Sequence, residues 1–155
     1  MGFYDEKELL DQMTKTYPTD GVAPVSQIGA TLESLYATIE QRRDSGDESS
    51  YTNRLIQGPL DALLKKISEE ALEADLAAKE CQMLDMHTDD AELFDISVDH
   101  TRYESTDVIY HLLVLLARFD VPIDELAAEL NARMKEGERP EGCVMLKKEH
   151  VQRGK

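Results

Sequence analysis

Basic residues are scarce. Against 32 Asp and Glu, the 155-residue chain sets only 17 Lys and Arg, which leaves a formal net charge of −15 at pH 7. Nucleic acid and anionic membrane are polyanions, so an excess of this sign argues against both as partners. Cysteine is scarce as well: Cys81 and Cys143 are too few and too far apart for a disulfide framework or a zinc site. Long apolar runs are missing. The longest, Val108–Ala117, is interrupted by Tyr110 and His111 and is too short to span a bilayer. No basic-plus-apolar leader opens the chain, and Glu6 stands where a myristoylation pattern needs Ser or Thr. A glycine-rich phosphate loop, a Gly-x-Ser-x-Gly elbow and internal repeats are also lacking. These absences lead us to expect a reduced, cytoplasmic protein without the common nucleotide-binding or hydrolase signatures.

What the chain does have is acid placed among apolar residues. With 41% hydrophobic content, it is expected to form one domain able to bury a sizeable core. Around Lys66-Ile-Ser-Glu69-Glu70-Ala-Leu-Glu73, a step of about 100° per residue puts Leu60, Leu63, Leu64, Ile67, Ala71, Ala74 and Ala78 on one stripe. Leu72 and Leu76 form a second. Lys66, Glu69, Glu70 and Glu73 fall between the two. Downstream, Glu104, Asp107, His111 and Arg118 share one strip at spacings of three, four and seven. They belong to a helix whose Leu112–Ala117 segment is apolar all round, which predicts burial on every side.

A buried carboxylate without a partner costs several kcal/mol or takes up a proton, and Lys66 with Arg118 cannot neutralise five acids. A divalent ion can. All-oxygen ligation selects a hard metal, Mg²⁺ or Mn²⁺, which keeps positions for water and substrate phosphates. The rival reading is ordinary helix pairing, Lys66 to Glu70 among the bridges, at a few tenths of a kcal/mol each. It suffices for the first helix taken alone, but not for acids on the apolar second.

In chain order, residues 1–27 read as an N-terminal appendage with a short helix around Glu6–Lys15 and a turn at Tyr17–Gly21. Its Phe3, Leu9, Leu10 and Met13 are available to pack on the domain or on a neighbouring subunit. Residues 28–137 make the helical domain. Ile28, Leu32, Leu35, Tyr36 and Ile39 keep helical spacing to Arg43, and Asp44-Ser-Gly46 stops the helix. Asp47–Arg54 is polar and hydroxyl-rich, equally a capping loop or a binder of phosphate or sugar; Gly58-Pro59 opens the next helix.

Thirty residues separate Glu73 from Glu104, most of them in a long connection, 81–103. Asp85–His100 shows no helical period there, and the alternation of Phe94, Ile96 and Val98 predicts a strand or extended arm, in a connection of the length found in functional lids or mobile excursions. A last helix is expected over Ile123–Lys135, with Leu126, Ala127, Leu130 and Met134 inward and Gly137 at its end. Residues 138–155 form a C-terminal tail.

Laid out in this way, the chain resembles the phosphoribosyl-ATP pyrophosphohydrolases, an all-α family of the MazG-type nucleotide pyrophosphohydrolase superfamily, over roughly residues 28–134. The resemblance is carried by Leu32-Glu-Ser-Leu35 with Ile39 and Arg42, by Ser50-Tyr51-Thr52 with Leu55 and Gly58, and by Lys66–Glu73. It continues through Ala77-Ala78-Lys79, Glu104–Val114, and Glu129-Leu130 with Arg133. Glu-Glu-x-x-Glu followed by Glu-x-x-Asp is the superfamily's metal signature; Ser-Tyr-Thr and Tyr-His-Leu-Leu-Val single out the branch. Ser68 stands where the family usually has glycine, the connection before Glu104 is longer than usual, and residues 1–27 have no counterpart.

The resemblance implies hydrolysis of a phosphorylated nucleotide, phosphoribosyl-ATP, to phosphoribosyl-AMP and pyrophosphate in histidine biosynthesis. It also implies a helical bundle that is a homodimer, or a higher homo-oligomer, with active sites near the subunit interface. Because Glu70 and Glu73 lie closer than Glu69 to the main packing stripe, they are expected to hold the metal together with Glu104 and Asp107. Glu69 is then placed as the catalytic group orienting a metal-bound water. Lys66, Arg54 and Arg133 are expected to contact phosphate, and Ser50, Tyr51 and Thr52 to supply hydrogen bonds to the additional ribose phosphate. His111 is expected either behind the metal ligands or as a satisfied core histidine. Two other readings stay open: a house-cleaning pyrophosphohydrolase acting on free deoxynucleoside triphosphates, and a non-enzymatic acidic scaffold whose stability Mg²⁺ leaves unchanged.

Overall fold

A computed structural model of the chain describes residues 27–153, and among them all regular structure is helical, as an all-α bundle requires. The appendage helix and turn expected between Glu6 and Gly21, with Phe3, Leu9, Leu10 and Met13, lie outside the described residues. The boundary between two compact units falls between Leu32 and Glu33. Gln27–Leu32, the opening of the first helix, belongs to one; the elements below belong to the other.

Helix α1 (Gln27–Asp44) buries Tyr36 and Ile39 and is followed by Gly46 at φ 65°, a left-handed turn that glycine takes without steric cost. The hydroxyl-rich segment after it is not a loop throughout, because Tyr51–Gln57 winds into helix α2. Ser50 caps it by accepting a hydrogen bond from the Asn53 amide at 3.3 Å, the usual satisfaction of an orphan N–H. The buried Asn53 side chain donates to the carbonyls of Arg42 and Arg43 at 3.0 and 3.1 Å, which ties α2 to the unsatisfied end of α1.

Helices α3 (Leu60–His87) and α4 (Ala91–Arg118) have 28 residues each, about 42 Å of helix, and pair as an antiparallel hairpin. The strand or extended arm expected over Asp85–His100 is therefore overturned: only Thr88–Asp90 turns the chain, and Asp90 caps α4 through the Leu93 amide at 3.1 Å. The period was hidden because polar residues occupy the seam. Ser97, Glu104 and His111, seven apart, are buried, while Ile96 and Val98 face outward.

The apolar stripe of α3 is also rotated from expectation. Its buried positions are Leu63, Glu70 and Ala77, so Glu70 lies within the packed face and not beside it, while Leu64, Leu72 and Leu76 are exposed. Burial of Leu112–Ala117 on every side is corrected too: Leu113, Val114 and Ala117 are buried, but Leu112 is 43% exposed.

Three ties fix the near end of the hairpin. Arg118 Nη1 donates to the carbonyls of Leu55 and Gly58 at 3.1 and 2.8 Å, closing the C-terminal end of α2. A Cβ at Gly58 would stand 2.6 Å from the Arg54 carbonyl oxygen, so no larger residue fits without backbone movement. Arg43 Nη1 donates to Ala117 O at 2.7 Å and to Asp120 Oδ1 at 2.8 Å, and the Tyr36 hydroxyl donates to Val121 O.

Helix α5 (Ile123–Arg133) turns Ala128 and Asn131 inward and leaves Leu130 exposed, one position away from the expected face. Gly137 falls in a separate 3₁₀ turn, Glu136–Glu138. No helix among the described residues is long and apolar enough to cross a membrane.

Candidate functional site

The hairpin seam carries charge where α2 packs against it. Glu70 from α3 and Glu104 and Asp107 from α4 each offer a carboxylate oxygen, and these oxygens lie within 4.8 Å of one another. Glu70 and Glu104 are buried and Asp107 is half-buried. The helical repeat puts Glu104 and Asp107 on one face of α4, and the antiparallel pairing brings that face over Glu70.

Among the described residues the cluster is short of cations. Lys66 Nζ lies 2.7 Å from Glu70 Oε1 and 3.4 Å from Glu69 Oε2; its hydrogen bond holds the Glu70 carboxyl below the usual range, and the amine's own proton is held more tightly in return. Burial pushes Asp107 up, and the charges of Glu70 and Glu104 add to it. Glu73 is exposed and lies against Glu70, whose carboxylate pushes it up, with burial and Glu104 acting the same way. One ammonium among four mutually repelling carboxylates leaves a concentration of oxygen donors suited to a hard divalent cation.

Behind the cluster, His111 is buried with both ring nitrogens engaged. Nδ1 lies 2.8 Å from the Asp107 carbonyl oxygen; a carbonyl only accepts, so Nδ1 carries the proton. In the neutral ring Nε2 is then an acceptor, and the Tyr51 hydroxyl donates to it at 3.2 Å. His111 is therefore a buried side chain with both ring nitrogens satisfied. Tyr51 stands at the rim of the cluster, its hydroxyl pushed up first by burial, with Lys66 opposing and Glu70 and Asp107 reinforcing. Next to it, buried Thr52 meets the Tyr110 hydroxyl at 2.7 Å. Ser-Tyr-Thr and Tyr-His thus occur together because they form two adjacent hydrogen bonds between α2 and α4.

The remaining expected residues have partners within the protein. The Ser50 hydroxyl is used in capping, and Arg54 Nη1 donates to the carbonyls of Glu48 and Ser49 at 3.2 and 2.8 Å. Arg133 pairs with Glu129 on its own helix at 2.9 Å and, among the described residues, makes no ion pair with the clustered acids Glu70, Glu104 and Asp107. Glu69 sits between Lys65 and Lys66, 3.4 Å from each.

One neighbour was missed altogether. His100 Nε2 lies 3.0 Å from Glu104 Oε1, and Nδ1 lies 3.5 Å from Glu80 Oε2. Its signal was the four-residue spacing to Glu104, invisible once Asp85–His100 had been read as non-helical. A separate cavity of about 660 Å³ between α5 and the tail, lined by Leu116, Val121, Leu126 and Val144 among others, contains none of the clustered acids.

Comparison with known proteins identifies the family. The family description phosphoribosyl-ATP pyrophosphohydrolase matches residues 32–134. A phosphoribosyl-ATP pyrophosphatase of Listeria innocua is 39% identical over 102 residues, covering 66% of this chain and 84% of that protein. One from Clostridium novyi is 36% identical over 104 residues, covering 67% and 81%. The histidine biosynthesis bifunctional protein HisIE of Deinococcus radiodurans is 39% identical over 111 residues, 72% of this chain and 44% of that longer protein. No solved structure matches the chain.

Proposed function

The chain belongs to the phosphoribosyl-ATP pyrophosphohydrolase family, and from that membership we propose that it hydrolyses phosphoribosyl-ATP to phosphoribosyl-AMP and pyrophosphate, a step of histidine biosynthesis, at its carboxylate cluster. The observation that carries this reading is the convergence of Glu70, Glu104 and Asp107 within 4.8 Å with Lys66 as the lone ammonium bonded into the cluster. These three acids would hold a divalent cation, Mg²⁺ in the first place and Mn²⁺ as a substitute, with Glu73 as a fourth oxygen donor beside Glu70. Such an ion supplies neutralisation of charge on the leaving pyrophosphate and lowers the pKa of bound water.

The protein's own groups bind and orient. Lys66 offers its remaining N–H donors to a phosphate oxygen, and Glu69 orients the attacking water; no protein nucleophile is required for phosphoryl chemistry of this kind. Tyr51 donates its hydrogen bond to His111, so its oxygen presents lone pairs and accepts from a ribose hydroxyl or a base amine of the substrate. Ser50, Thr52 and Arg54 hold α2 in place and thereby Tyr51. The protein works in the cytoplasm as a homodimer or higher homo-oligomer.

The test is release of pyrophosphate from phosphoribosyl-ATP in the presence of Mg²⁺. Abolition by chelator is expected, together with much slower release from plain ATP or a deoxynucleoside triphosphate. Faster turnover of the plain triphosphates would replace this reading with a house-cleaning one.

A further inference from the structure

We infer that His100 is a positioning residue for the carboxylate cluster, holding Glu104 in the orientation in which it meets Glu70 and Asp107. The inference rests on the reading of those three acids as ligands of a divalent cation, and it concerns what keeps one of them ready.

The two helices treat their central acids alike. On α3, Lys66 precedes Glu70 by one turn and reaches its Oε1 at 2.7 Å; on α4, His100 precedes Glu104 by one turn and reaches its Oε1 at 3.0 Å. Since the helices run antiparallel, the two anchors stand at opposite ends of the cluster. Lys66 is on the side of α2, and His100 is on the side of the hairpin turn.

The contact from His100 is the one hydrogen bond made by the Glu104 side chain among the described residues. A carboxylate accepts, so Nε2 carries the hydrogen. Engaging one carboxylate oxygen leaves the other for a cation and removes rotamer freedom that ligation would otherwise have to remove. The second ring nitrogen faces Glu80 of α3 at 3.5 Å, so the imidazole lies between the two helices.

Burial separates this from an incidental surface pair. The Glu104 side chain is 12% exposed, whereas His100 is 48% exposed. The anchor sits at the solvent edge and its target lies inside, so truncating the anchor opens no cavity while freeing a largely buried ligand.

The test is Mn²⁺ binding to the substrate-free protein, by calorimetry or by the spin-resonance signal of free Mn²⁺, in wild type, His100→Ala, His100→Gln and Asp107→Asn. His100→Ala is expected to bind Mn²⁺ about tenfold or more weakly with an unchanged circular dichroism spectrum and melting temperature. His100→Gln, which keeps an N–H donor one turn before Glu104, is expected to restore most of the affinity. In turnover assays the Mg²⁺ concentration for half-maximal rate should rise in His100→Ala by the same factor. Wild-type Mn²⁺ affinity in His100→Ala, alongside its loss in Asp107→Asn, overturns the inference and leaves the metal site standing. Equal weakening in His100→Ala and His100→Gln also overturns it, since the donor is then not what matters. Absence of Mn²⁺ binding in wild type, or unaltered binding in Asp107→Asn, overturns both.

Discussion

The two halves of the α3–α4 hairpin share one backbone geometry and one seven-residue repeat, yet they differ in what surrounds them. In the near half, α2 lies against the pair, and Leu63, Leu113, Val114 and Ala117 are buried. Buried polar groups there have partners in His111, Thr52 and Asn53. In the far half, among the described residues, only the two helices meet, and Met83, Met86, Ile96 and Tyr103 stand outward, Met83 at 61% and Ile96 at 59% exposure. Two helices alone cover one narrow seam; a third element is needed before a carboxylate can be removed from water and still be held. The cluster sits where the third element ends, so it has rigid support on one side and an open approach on the other.

Breaking the near half should have the largest effect. Asp107→Asn is expected to lower Mg²⁺-dependent pyrophosphate release by at least about a hundredfold, as loss of a ligand oxygen worth several kcal/mol implies, while the protein stays folded. The metal-free variant also sharpens the electrostatics. Burial and like charge raise Asp107 above its ordinary 3.8, so the folded state binds more protons than the unfolded one. Its contribution to stability is then present at low pH and lost as pH rises through the window above that value. Asp107→Asn should therefore gain in melting temperature over metal-free wild type as pH rises from about 4, and gain least below it. A constant offset at all pH values would show that repulsion at Asp107 is not felt by the fold.

Gly58→Ala attacks the same half through its support. A Cβ 2.6 Å from a backbone oxygen must displace the α2–α3 junction that Arg118 holds. We expect a loss of about 1–3 kcal/mol in denaturant unfolding, with reduced activity because Tyr51 and Lys66 flank that junction. Unchanged stability would mean that the junction yields freely.

The far half is probed by charge on its outer face. If a second copy covers it, Met83→Glu with Ile96→Glu should shift sedimentation from dimer to monomer at micromolar concentration. Unfolding stability of the monomer should change by less than about 0.5 kcal/mol, as for exposed sites. A monomeric wild type would leave these side chains without the proposed partner.

The contrast also explains what the sequence disclosed. The convergence of Glu70, Glu104 and Asp107, the Lys66 contact to Glu70, the Tyr-His pair and the all-helical architecture were legible because each follows from helical spacing or from family motifs. The far half was misread because its seam is polar at Ser97 and its apolar residues Ile96 and Val98 point outward, so hydrophobic periodicity pointed to the wrong structure. Helix α2 was missed because a seven-residue helix carries too short a pattern to register, although Ser50 and Asn53 were in place to cap it. Partners such as the Arg54 contacts to Glu48 and Ser49 depend on chain folding back within six residues, which spacing alone does not reveal.

The smallest effect is expected at the border between the halves, in Glu80→Gln. Glu80 faces His100 at 3.5 Å, and its side chain is 58% exposed. A contact so exposed contributes between nothing and about 1 kcal/mol, and the amide that replaces the carboxylate keeps its shape. The Glu104 contact is made by the other ring nitrogen, at 3.0 Å on a largely buried carboxylate, and survives the change. Glu80→Gln should therefore leave Mn²⁺ affinity within about twofold of wild type, in contrast to the tenfold loss expected of His100→Ala. An equal loss in the two variants would place the control of Glu104 in the tie across the hairpin, not in the hydrogen bond along α4, and the far half would then have to be counted as part of the site's support.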